Sequence, residues 1–100
     1  MRLPEENRPI GKYGFFRKEY LKEEHPGQYT YLLLSCQLWK HLANVNEQAQ
    51  ARLETVIQQM QEAEGVTEKL KAKDQWEWLR KMSSIHNRVE EIVLNEIIYV

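Results

Sequence analysis

Apolar residues recur at helical rather than strand spacing along nearly the whole chain, and the longest such run occupies residues 67–99. There Thr67 is a good N-cap, and no Gly or Pro follows before the end, so the pattern predicts one uninterrupted helix. Trp78, Met82, Ile85, Val89 and Ile92 step by four and three along it, with Leu79, His86, Val93 and Val100 on the adjoining row. A helix of that span measures roughly 50 Å, whereas a compact 100-residue domain has a radius of gyration near 13 Å. Such a helix must bend, with Ser83 and Ser84 the expected place, or carry its apolar stripe beyond its own domain, where a second copy or another partner would cover it.

The preceding chain divides into three shorter helices. The first is expected from between Gly11 and Gly14 to about Glu24, with Tyr13, Phe16 and Tyr20 on one face, and His25, Pro26 and Gly27 end it. Pro26 suits the first turn of a second helix reaching about Ala43, with Tyr29, Leu32, Leu33 and Cys36 on one row and Tyr31, Leu34, Leu38 and Leu42 on another. Having no polar face, it is expected to be the enclosed, central helix. A break at residues 44–46, with Asn46 as N-cap, opens a third helix bearing Ala49, Leu53, Val56, Ile57 and Met60 inward and glutamines outward. Gly65 is placed to close it, and a connection this short implies an antiparallel hairpin with the last helix. Residues 1–11, with Pro4 and Pro9, are expected to form an extended arm. The pattern therefore predicts an all-α fold: one antiparallel bundle of about four helices with a long C-terminal helix, a single domain over residues 1–100.

Composition narrows the function more than it defines it. The 100 residues carry 14 basic and 15 acidic side chains for a formal net charge of −1, so no global field draws the chain to nucleic acid. A lone cysteine cannot make an internal disulfide, and no secretory leader pattern or run of some 20 apolar residues occurs. These features fit a cytoplasmic protein that does not enter a membrane.

Several short segments in order carry a resemblance: LPEE at 3–6, PIGKYG at 9–14, YLKEE at 20–24, YLLLS at 31–35, QAQARL at 48–53, GVTEKL at 65–70, DQWEW at 74–78 and EIVLNE at 91–96. Together they resemble the transposon-encoded TnpV family over almost the whole chain. The resemblance implies a genetic setting, on conjugative transposons and related mobile elements of Gram-positive, mostly clostridial bacteria. It brings no activity, cofactor or site residue with it. Family members often carry an additional segment before the proline-containing arm.

Catalytic chemistry finds little footing in the residues. His25, His41 and His86 fall on separate elements without metal-ligand spacing, and Cys36 with His41 five positions on lies on a different side of a helix. Cys36 is expected to be an inert core thiol, and His86 with Glu90 at i+4 a surface pair rather than a proton relay. No catalytic residue, metal or cofactor is therefore assigned.

Binding is the better expectation. Trp76 and Trp78 point about 200° apart, so only one can face the core, and Trp76 with Leu79, Ile92 and Tyr99 are the candidate protein-interface residues. A nucleic-acid surface would instead use Arg8, Lys12, Arg17 and Lys18, although Glu19, Glu23 and Glu24 dilute that cluster, and the third helix has only Arg52 as a cation. Three functions follow: a non-enzymatic accessory that binds an element-encoded or host protein, a DNA-binding accessory, or an inhibitor of a host defence nuclease of the anti-CRISPR kind. Balanced charge favours the first.

Overall fold

A computed structural model describes residues 8–100, and every regular element among them is helical. The elements are α1 (Gly11–Glu24), α2 (Pro26–Leu34), α3 (Leu38–Glu64), α4 (Glu68–Lys73) and α5 (Gln75–Val93), followed by a π-helical turn, Leu94–Ile98. Of the extended arm expected at residues 1–11, positions 1–7 lie outside the described residues, and Gly11 already opens α1.

Two boundaries differ from expectation. The chain breaks at residues 35–37, not at 44–46, because Cys36 takes the left-handed conformation (φ 62°) that normally calls for Gly. Its N–H bonds to the Leu33 carbonyl and the Gln37 N–H to the Leu32 carbonyl, which makes Cys36 the C′ residue of a Schellman closure. Asn46 is consequently no cap: it lies inside α3 and is buried. The second correction concerns the last helix. It is interrupted at Asp74, which turns extended (φ −149°, ψ 92°) and accepts the Glu77 N–H at 3.1 Å, so that α4 ends and α5 is capped at one residue. Ser83 and Ser84 lie within α5. Gly65 (φ 69°) closes α3 and the Thr67 side chain caps α4, both as the sequence implies.

The core runs along the seam of α3 with α5. Val45, Ala49 and Val56 meet Ile85, Val89, Val93 and Ile98, with Tyr13 and Val66 completing the cluster. α1 lies across α3, presenting Tyr13, Arg17 and Leu21 at successive steps of four. Its approach depends on small residues. A Cβ on Gly14 would stand 3.0 Å from the Leu42 carbonyl oxygen, and one on Gly11 (φ 62°) would stand 2.6 Å from the Asn46 amide.

α2 falsifies its expected place. None of its residues is buried, so the most apolar helix of the chain is an outer element against α1 and the start of α3. At the other end α4 packs only on α5, and this corner projects past the C-terminus of α3. The molecule measures 58 × 27 × 18 Å, and its radius of gyration of 17.4 Å exceeds the roughly 13 Å of a compact chain this size.

Substituting Gly11 by Ala adds left-handed backbone strain of about 1–2 kcal/mol to a clash with Asn46. Gly65→Ala carries the strain alone, since open space surrounds it. Thermal unfolding should therefore show both variants destabilised and Gly11→Ala more so, each kcal/mol lowering Tm by roughly 4–8 °C.

Candidate interaction site

The basic residues of the first quarter are largely committed within the fold. Arg8 pairs with Glu47 at 2.9 Å, and Lys12 with Glu90 at 2.8 Å while lying over the Tyr13 and Phe16 rings. The hydrogen bond to Glu90 raises the Lys12 pKa, and burial raises that of Tyr13 beside it. Arg17 is buried: its Nη1 donates to the carbonyls of Ile98 and Val100, each at 2.8 Å, and its guanidinium lies over the Tyr20 ring. Burial lowers the Arg17 pKa from its ordinary value, but a guanidinium this basic stays charged. Of the four nucleic-acid candidates only Lys18 makes neither an ion pair nor a hydrogen bond through its side chain among the described residues. The four do not form a single exposed basic face.

Below α1 the same seam holds three buried polar atoms without hydrogen-bond partners among the described residues: Arg17 Nε, His41 Nε2 and Asn46 Oδ1. Burial, and next the Arg17 charge, push the His41 pKa below its ordinary value. His86 stays at the surface, its Nδ1 3.7 Å from a Glu90 carboxylate that Lys12 also engages. Among the described residues no three His, Cys, Asp or Glu side chains gather where a metal could bind.

Two surfaces remain. One lies at the corner of α1, α2 and α3, where Tyr31, Leu33, Leu34 and Trp39 are exposed. A cleft of about 290 Å³ opens there, lined by Ile10, Leu33, Leu38, Trp39 and Leu42 with Cys36 and Lys18. The Trp39 indole N–H donates to the Arg8 carbonyl at 2.8 Å, which fixes the wall of the cleft. Cys36 is thus a half-buried cleft residue, not the core thiol expected of an enclosed helix. Sequence reasoning passed over this surface because an apolar helix reads as core; the signal it did offer was fourteen consecutive residues, 26–39, without a formal charge.

The second surface is the α4–α5 corner. Trp76 is 78% exposed and Leu79, one turn on, 42% exposed, whereas Trp78 is half-buried beneath the Lys71 ammonium. The other two interface candidates lie elsewhere: Ile92 is half-buried in a shallow groove with Met60 and Arg88, and Tyr99 packs at a tilt against Tyr20 with ring centroids 5.4 Å apart. The stripe of α5 expected to seek a partner is largely covered by its own chain, with Ile85, Val89 and Val93 fully buried.

These features define an all-α protein of elongated form whose described residues gather no metal-binding cluster and in which Arg8, Lys12, Arg17, Arg52 and Arg88 bond to other parts of the fold. No described helix is long and apolar enough to cross a membrane. A family model described as transposon-encoded protein TnpV matches residues 1–98, and the chain belongs to that family. No curated protein matches the chain, and no solved structure does.

Two outcomes follow from the Arg17 seam. Arg17→Ala removes a charged donor from the buried Ile98 carbonyl and the part-buried Val100 carbonyl and should cost about 2–3 kcal/mol in urea unfolding, with faster hydrogen exchange over residues 94–100. The lowered His41 pKa means the unfolded chain binds the proton first as pH falls. Stability from this residue is complete above the ordinary value of 6.5 and is lost as pH drops through 6.5 toward the lower folded value. Urea midpoints measured from about pH 7 down to about pH 5 should fall less steeply for His41→Asn than for the natural chain.

Proposed function

We propose that this protein is a non-enzymatic accessory of its mobile element that acts by binding another protein, encoded by the element or by its host. The observation that carries the reading is Trp76, four-fifths exposed on a projecting corner with Leu79 beside it. A folded monomer gains nothing from holding an indole in water, whereas a partner that buries it gains on the order of 2 kcal/mol or more from such an anchor. Asp74 and Glu77 adjoin it in sequence and Lys73 and Arg80 lie three and four positions away, so the corner is of mixed charge around an apolar anchor. We take the chain to work as one helical domain in the cytoplasm. Its helices α3 and α5 are read as antiparallel, because Arg88 meets Glu64 while Arg52 meets Glu96, an order that runs oppositely along the two helices.

A DNA-binding accessory has less support, since Arg8, Lys12 and Arg17 are engaged internally. Inhibition of a host defence nuclease remains compatible with protein binding and differs only in the partner. A tagged pull-down from host cells carrying the element, with and without nuclease treatment, separates these readings. The natural chain should recover a defined protein after nuclease treatment, and Trp76→Ala should reduce that recovery at least about tenfold. Recovery of DNA alone, lost on raising salt, would overturn the proposal in favour of the basic residues.

A further inference from the structure

We infer that the protein met by the Trp76 corner presents an acidic-rimmed pocket: an apolar recess takes the Trp76 indole with Leu79, and a carboxylate at its edge takes the Arg80 guanidinium. This rests on the protein-binding reading above and names the chemistry of the partner. Helical geometry puts the three side chains on one face. At about 100° per residue, Leu79, Arg80 and Ser83 all fall within roughly 60° of Trp76 around α5, one to two turns along it. All four are exposed, and Arg80 carries the only formal charge among them.

Local charge selects the partner. Residues 68–81 carry five cations and three anions in a chain whose formal net charge is −1. Two of those anions are already engaged: Asp74 accepts the Glu77 N–H at 3.1 Å, and Glu77 pairs with Lys81 at 3.4 Å. Lys71 lies over the Trp78 ring. Arg80, Lys69 and Lys73 have no ion pair, hydrogen bond or ring contact among the described residues, and only Glu68 is left to oppose them. A guanidinium one turn from an exposed indole, and not stacked on it, matches a carboxylate with two parallel hydrogen bonds. Trp and Arg are also the residues that most often anchor protein interfaces. A phosphate backbone or an anionic lipid surface would meet cations across its whole contact, and here Asp74 and Glu77 fall between Lys73 and Arg80. A single carboxylate beside an apolar pocket can reach Arg80 and avoid both.

Panning a random dodecapeptide library with the full chain, and discarding peptides that also bind the Trp76→Ala variant, tests this with a defined probe. The retained peptides should pair Asp or Glu with Leu, Ile or Phe. Fluorescence anisotropy of one such peptide should give a dissociation constant that rises with salt, rises at least about tenfold for Arg80→Glu and rises less for Arg80→Lys. Glu77→Gln removes an acid beside the site and should not raise it. Far-ultraviolet circular dichroism should be the same for every variant, because none of these side chains is in the core. Retained peptides without acids, or peptides that Arg80→Glu binds as tightly, would overturn the acidic pocket. So would the absence of any retained peptide, or oligothymidylate or phosphatidylserine vesicles binding in place of peptides and released by Arg80→Glu. The pull-down judges the protein-binding reading by itself, so a Trp76-dependent protein that Arg80→Glu still recovers would sink this inference alone.

Discussion

Arg17 joins the first helix to the last turn, and the position of both rests on it. A guanidinium cannot shed its proton, so it can be buried only where acceptors await it. The acceptors are the Ile98 and Val100 carbonyls at the negative end of the α5 helix, and the turn that offers them is widened into a π-helical bond from the Tyr99 N–H to the Leu94 carbonyl. That widened turn also seats Ile98 fully inside the core. α1 can come close enough for Arg17 to reach because Gly11 and Gly14 remove the side chains that would meet Asn46 and the Leu42 backbone. One buried cation, two glycines and one irregular turn are thus a single construction, and loss of any member loosens the others.

The surface charges act on top of this. Arg8 to Glu47, Lys12 to Glu90, Arg52 to Glu96 and Arg88 to Glu64 link residues from 24 to 78 positions apart in sequence, so the last three tie one helix to another and the first ties the segment before α1 to α3. Exposed pairs are worth about 0.2–1 kcal/mol each, far less than the burial of Ile85, Val89 and Val93. Their larger effect is on register: a slip of α5 by one turn would separate Arg88 from Glu64 and Arg52 from Glu96 together. The same pairing draws Arg8 and Lys12 onto acidic partners within the fold.

What could be read from the sequence follows the places where local chemistry decides structure. Gly65 and Thr67 mark their termini because a left-handed closure and a side-chain cap are properties of those residues themselves. Trp76 was legible as the indole that could not share the core with Trp78, by helical geometry alone. The break at Cys36 was not, since a cysteine in the left-handed conformation carries no signature, and its cost is offset only by how α2 and α3 pack. Asp74 offered a signal, a capping residue with Glu77 three positions on, but nothing in periodicity says whether a capping side chain is used. Arg17 looked like a surface cation because its acceptors lie 81 and 83 residues away. The largest inversion, α2, has the same root: hydrophobicity states how much apolar surface a helix carries, not which molecule covers it.

That distinction bears on where the two exposed surfaces lie. The α2 corner packs near Leu38 and the Trp76 corner lies beyond Glu64, so α3, about 40 Å long, holds them apart. An elongated molecule keeps its apolar surface divided between its ends, whereas a compact bundle of the same length would have buried both corners in its own core.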